Sequence, residues 1–319
     1  MNRPLATVIV CTRDPGERLR ATLTSLVACR EACEFPFEVC VIDSASQGGS
    51  VAETVSSIGD AELVHCHRIG RPGLSVARNF GLSVAKGEAV LWTDDDVLVP
   101  RTWVHDLATP LLEGRGDALV GGWRTPMEML PRWARASQVH GDHDSTRFNF
   151  QEIDSLSGLN MAFHRRVLKA VPQFDPELGA GALGFGEDSL FGWQLKEAGF
   201  VIRGLPDLIV EHRFDVSRLN RSALLKRAAR MGESSAYIAY HWRHEDPVTP
   251  TLAPQVKAAL GRQVRRLKHL FRADRSYQLS EKEFGGVVRY ADARMAESLR
   301  GQPRKYALRG LVRCDAGGA

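Results

Sequence analysis

Short β-branched runs alternate with amphipathic stretches along the first hundred residues. "ATVIVCT" is an apolar strand-like run, and "RDPGERLRATLTSLVAC" after it carries turn residues and then spaces Leu19, Leu23, Leu26 and Val27 at helical intervals. "FEVCVIDSAS" repeats the strand half, "VAETVSSI" supplies a helix, and "AELVHCHR" supplies a third strand. "GLSVARNFGLSVAKG" predicts an amphipathic helix closed by Gly87, leading into "EAVLWTDDD" as a fourth strand. Strands alternating with helices predict a mostly parallel sheet with helices on both faces. In such sheets ligands bind beyond the carboxyl ends of the strands. The sequence puts polar groups there: Thr12 and Arg13, Asp43, and Asp94 to Asp96.

After Pro100 the pattern is mixed. "HDLATPLLEGRGDALVGGW" reads as helix then strand, while Met127 to Phe150 is irregular and is expected to be a substrate-facing loop. "SLSGLNMAFHRRVLKAV" resumes regular structure. A Gly-rich loop, "FDPELGAGALGFGEDSLFGWQLKEAGF", then leads into a helix from about Asp188, and "VIRGLPDLIVEHRF" predicts a closing strand pair. From about Ser217 the chain turns to Arg, Lys, Ala and Leu without strand signals. "LNRSALLKRAARMGESSAYIAYHW" and "PQVKAALGRQVRRLKHLFRADR" predict two helices, the second with Val256, Leu260, Val264, Leu267 and Phe271 on one stripe amid basic residues. The expected organisation is a main domain over 1–215, with halves 5–125 and 126–215, and a basic helical C-terminal extension over 216–319.

Composition narrows the function classes. The chain has 319 residues and is 44% hydrophobic, enough for a substantial core. Its 42 Lys plus Arg against 38 Asp plus Glu is too small an excess to point to nucleic acid. The first apolar stretch, Leu5 to Cys11, is too short for a signal-peptide core, and no segment reaches transmembrane length. The six cysteines have no framework spacing, so a reduced, cytoplasmic protein is expected. Cys29, Cys33, His65, Cys66 and His67 match no common zinc spacing, and buried thiols are the better reading. Two readings are open for the basic helices: a solvated face, or docking at an anionic membrane surface from the cytoplasmic side.

The chemistry-bearing pattern is "VLWTDDDVLVP". One Asp at a strand end could cap a turn or the following helix. Three in succession after a buried strand repel one another and are better explained by a hard divalent cation, Mg²⁺ or Mn²⁺. "GFGEDSLFGW" is the second acidic site, its Gly-rich approach suiting a lid over substrate, although Glu187 and Asp188 would also suit a helix N-terminus. His212, at the end of "LIVEHRF", is either a metal or pyrophosphate contact or a satisfied structural group. Trp193 is either a sugar-stacking aromatic or part of the core. "HGDHD", His140 to Asp144, has metal-ligand spacing but is read as a solvated loop.

These blocks, with "TVIVCTRD", "RPGLSVARNFGLSVAKGEAVLWTDDDVLVP" and "GLNMAFHRRVL" among them, resemble in order and spacing a family 2 glycosyltransferase over roughly residues 5 to 215. The resemblance implies a GT-A fold, a Rossmann-like α/β sheet, and a nucleoside diphosphate sugar donor, UDP by default. By the same resemblance Thr12 and Arg13 contact the nucleotide, Asp43 accepts a hydrogen bond from the base, and Arg78 faces the nucleotide. Asp94 and Asp96 fit the family's Asp-x-Asp, with Asp95 leaving the register ambiguous. Of the catalytic pair, Asp188 is the general base of an inverting displacement and Glu187 an acceptor contact, with Trp193 also on the acceptor side. A Mn²⁺ or Mg²⁺ ion on Asp96, Asp94 and His212 supports the leaving group. The implied activity is hexosyl transfer to an acceptor hydroxyl, in polysaccharide or glycoconjugate biosynthesis. A sugar nucleotidyltransferase is the weaker alternative, since "CTRDPGERLR" has a single glycine where a phosphate loop would have several. A non-catalytic nucleotide-sugar-binding scaffold is the other, and the two intact acidic sites speak against it.

Overall fold

The computed structural model describes residues 3–131, 145, 149–150, 153–246 and 281–314. The His140 to Asp144 segment, most of the Met127 to Phe150 loop, and the helix expected around Val256 to Phe271 lie outside the described residues. Among the described residues no helix is long and apolar enough to cross a membrane.

The alternating first half forms β1 (Ala6–Thr12), α1 (Arg18–Ala28), β2 (Phe37–Ser44), α2 (Ser50–Ile58), β3 (Val64–Ile69), α3 (Leu74–Val84) and β4 (Ala89–Asp94). Next come β5 (Val97–Leu98), α4 (Trp103–Leu112), β6 (Ala118–Arg124), β7 (Met161–His164), α5 (Glu187–Glu197), β8 (Ile202–His212), α6 (Arg221–His241) and α7 (Glu281–Leu299). The strands join in the order β3-β2-β1-β4-β7-β6-β8-β5. The first four are parallel, as the alternation predicts. The other edge is mixed, because β7 runs antiparallel to both β4 and β6 while β8 returns parallel to β6. The expected closing strand pair is instead one long strand, β8, whose pairing slips between Gly121 and Gly122 so that Leu205 and Ile209 flank an irregularity.

Both faces of the sheet are covered, which is why β1 and β2 read as continuous apolar runs. Val8 and Val10 point to one face, against Leu19, Leu23 and Leu26 of α1 and Trp103 and Leu107 of α4. Ile9, between them, points to the other, with Trp92, Phe174, Phe191 and Ala77. Strand register carries this order to the site. Thr12 lies opposite Asp43, and Cys11 opposite Asp94, so the polar strand ends reach one edge together.

The chain after β8 returns to this core. The Tyr237 and Tyr306 hydroxyls each donate at 2.8 Å to Asp175 Oδ2, and Arg313 Nη1 donates at 2.7 Å to its other oxygen. Asp175 is buried, so this carboxylate ties α6 and the C-terminal segment to the loop ahead of α5.

Gly87 does not close α3, as the pattern suggested. The helix stops at Val84, and Ala85 is extended with ψ 135°. Gly87 serves a close approach instead: a Cβ there would lie 2.5 Å from Ala6 C and Thr7 N. Gly87→Ala is therefore expected to push β1 from α3 and cost about 2 kcal/mol, read as a lower urea midpoint at unchanged slope.

Candidate functional site

A cavity of about 850 Å³ opens at the carboxyl ends of β1 and β4. Its walls come from Thr12 to Asp14, the acidic triplet, the loop before α5, His212, and one face of α6. Thr12, Arg13, Arg78, Asp94, Asp95, Asp96, Glu187, Asp188 and His212 all border it. Asp43 and Trp193 do not.

The three aspartates have different environments. Thr12 donates its hydroxyl to Asp95 Oδ2, and burial pushes that carboxyl up to about 7 against the pull of this hydrogen bond. Asp94 is also pushed up by burial, with Arg78 opposing. Asp96 moves the other way: burial would raise it, but the hydrogen bond and charge of His212, then Arg218 and Arg18, outweigh burial and hold it low. His212 Nε2 stands 3.3 Å from Asp96 Oδ1 because β5 pairs with β8 so that Val97 faces His212. The backbone fastens the same corner, Arg213 N–H donating at 2.7 Å to the Asp96 carbonyl. The Cys11 thiol beneath is pushed up to about 12 by burial, which keeps it neutral and inert.

Among the described residues no three His, Cys, Asp or Glu side chains converge on one ion. The preformed pair is Asp96 with His212, whose other nitrogen, Nδ1, is buried with no hydrogen-bond partner. Oxygen plus imidazole suits Mn²⁺ or Mg²⁺ only if phosphate and water supply the remaining positions, which is how Mg²⁺ is commonly held.

The second acidic site begins α5, behind Gly186 in the left-handed region at φ 85°. Glu187 is turned inward, where Arg78 Nη1 donates to it at 2.8 Å. Arg78 is only 3% exposed and lies 5.3 Å from the Phe174 ring centroid, so it is no ordinary surface cation. A Cβ at Gly158 would sit 2.0 Å from Arg78 Nη2, so glycine leaves the guanidinium its space. Burial pushes Glu187 up to about 7, and Asp188 adds to this while Arg78 opposes. Burial would lower Arg78, but Glu187, Asp188 and Asp94 outweigh it and hold it more firmly charged. Asp188 faces the cavity and is oriented by two backbone donors, Gly158 N–H at 2.9 Å and Ser189 N–H at 2.7 Å.

Two expected contacts fall elsewhere. Asp43 accepts from Ser46 N–H at 2.8 Å and from Arg68 Nη1 at 2.9 Å, which fastens the turn after β2. Trp193 stacks on Trp242, centroids 5.9 Å apart, with Arg243 over its ring. Five residues along a helix turn Trp193 about 140° away from Asp188, toward α6. The basic residues of α6, read from sequence as a solvated or a membrane-docking face, include three that border the cavity, Lys226, Arg227 and Arg230, as does Arg218 just ahead of the helix. Their spacing, one turn apart, marked a common face but not what that face would meet.

An open sheet with an acidic strand end, a second acid at a helix start and a Gly-rich loop between them is the GT-A glycosyltransferase architecture. The same fold is seen in a mannosyltransferase from Pyrobaculum calidifontis, solved with GDP-mannose and Mn²⁺, which is 18% identical with a TM-score of 0.52 over 92% of this chain and 70% of that one. The chain belongs to Glycosyl transferase family 2, whose pattern matches residues 7–171. It is 26% identical over 65% of its length to chondroitin synthase of Pasteurella multocida, and 25% over 76% to pre-mycofactocin glycosyltransferase of Mycobacterium tuberculosis. It spans 24% and 49% of the lengths of those two relatives.

Asp95 generates a pH test. Its folded value lies above the ordinary carboxyl range, so between about pH 4 and 7 the folded chain holds a proton that the unfolded chain has lost. Stability of the metal-free protein should therefore fall as pH rises through that window, by on the order of 2 kcal/mol given the solvent the cavity admits. Urea unfolding at pH 5 and pH 8 in chelator checks this, and Asp95→Asn, which keeps an acceptor for Thr12, should reduce the difference, the remainder coming from Glu187 and Asp94, which burial also raises.

Proposed function

We propose that this family 2 domain is a metal-dependent, inverting glycosyltransferase. It moves a hexosyl group from a nucleoside diphosphate sugar, UDP-linked by first expectation, to an acceptor hydroxyl. The observation that carries the reading is the presence of two acidic sites on one cavity, the Asp94–Asp96 triplet and Asp188, with Arg78 buried close to both. The donor and ion of the mannosyltransferase neighbour, GDP-mannose and Mn²⁺, support a nucleotide sugar and a divalent ion here as well.

The geometry supports one division of labour among these residues. Thr12 and Arg13 border the end where the nucleotide would enter, Arg13 half-exposed and 3.7 Å from Asp14. Asp96 and His212 would hold the Mn²⁺ or Mg²⁺ ion, with phosphate and water in its remaining positions, and the ion when bound would offset charge on the diphosphate leaving group. Asp188, oriented by backbone donors but open to the cavity, would take the acceptor proton as its oxygen attacks the anomeric carbon. Attack from the face opposite the diphosphate inverts configuration. Glu187 is inward and bound to Arg78, so its part is to set that cation beside Asp188 and Asp94. Asp43, joined to Ser46 and Arg68, would meet a base only through the turn it stabilises.

The test is a calorimetric titration of the protein with UDP, GDP and dTDP, each with and without Mn²⁺, repeated on Asp96→Ala. One nucleotide should bind in a metal-dependent way, and the variant should weaken it at least about tenfold, the scale of one charge-assisted contact. Binding of none, or binding indifferent to both metal and substitution, overturns the proposal.

A further inference from the structure

Beyond Arg13 and Arg78, five further cations border the cavity. Arg18 and Arg218 act on Asp96, at the triplet. Lys226, Arg227 and Arg230 border the same cavity from α6, within about one helical turn of each other. This second group touches the loop that leads to the proposed base. A Cβ at Gly184 would lie 2.8 Å from Arg230 Cβ and Cδ, and the Arg227 guanidinium is 5.8 Å from the Phe185 ring centroid. Gly184 and Phe185 run directly into Gly186, Glu187 and Asp188. Among the described residues neither Lys226 nor Arg230 is in an ion pair, and both are exposed to the cavity mouth.

A donor diphosphate is matched by the ion at the triplet together with Arg18 and Arg218. It leaves over the α6 cations, of which Arg230 and Arg227 pack on Gly184 and Phe185, a few residues ahead of Asp188, near which the acceptor hydroxyl has to lie. An arginine fork and a nearby ammonium are the groups that bind carboxylate and phosphate oxygens, the fork in bidentate fashion. We infer that the acceptor carries an oxyanion, a carboxylate or a phosphate, held by Arg230, Lys226 and Arg227 while its hydroxyl faces Asp188. The inference rests on the transferase reading and adds to it the charge of the acceptor.

The experiment uses the full chain saturated with Mn²⁺ and the nucleotide that binds it, titrated with glucuronate, glucose 6-phosphate and uncharged glucose. At least one charged sugar should bind in the presence of nucleotide about tenfold or more tighter than glucose, and which one it is separates carboxylate from phosphate. The pair Lys226→Gln, Arg230→Gln should remove that preference, and Arg230→Lys should retain part of it. Charged sugars that bind no better than glucose overturn the inference. So do charged sugars that bind only by displacing nucleotide, because the α6 cations then serve the donor. In both cases nucleotide still binds and the transferase reading stands. If no nucleotide binds at all, both readings fall together.

Discussion

The site is organised around the buried pair of Arg78 and Glu187. It joins α3, which belongs to the regular alternating half of the chain, to the start of α5, which follows the Gly-rich loop. Desolvating two charges is costly, and removing one partner leaves the other stranded, so such a pair holds its two elements in one relation more than it adds stability. Here one guanidinium is shared by Glu187, Asp188 and Asp94. Burial, with Asp188 adding to it, raises Glu187 even with its partner at 2.8 Å, because the shared guanidinium offsets only part of this. The glycines follow from the same crowding: Gly158 leaves room for Arg78, and Gly179, at φ 86°, passes Glu187 where a Cβ would come within 3.1 Å of its carboxyl.

The triplet extends the same logic. Three adjacent aspartates are tolerable because each is compensated differently: Asp94 by Arg78, Asp95 by the Thr12 hydroxyl, and Asp96 by His212. Only Asp96 is held low, and it is the one joined to an imidazole whose second nitrogen has no hydrogen-bond partner. The repulsion that makes the sequence conspicuous is thereby converted into three distinct carboxyl groups.

Closure of the cavity falls to residues after β8. Asp175 anchors Tyr237, Tyr306 and Arg313, and Trp193 with Trp242 packs α5 on α6. With α6 fixed in this way, Lys226, Arg227 and Arg230 border the cavity together with the triplet.

Periodicity and strand ends were enough to place Thr12, Arg13 and the aspartates at one sheet edge, because side-chain alternation and parallel crossovers are local rules with few solutions. Block order was enough to name the family. The sequence could not say that β7 runs antiparallel, since that depends on which strand it meets and not on its own residues. Nor could it say that Asp43 would be taken by Arg68, that Trp193 would turn toward α6, or that Arg78 would be buried against Glu187. Each of these is a contact between residues far apart in the chain, and local patterning records that a group is charged or aromatic without recording its partner. Tertiary packing chose the partners, and with them which carboxyl stays ionised, which acid faces the cavity, and which basic helix closes it.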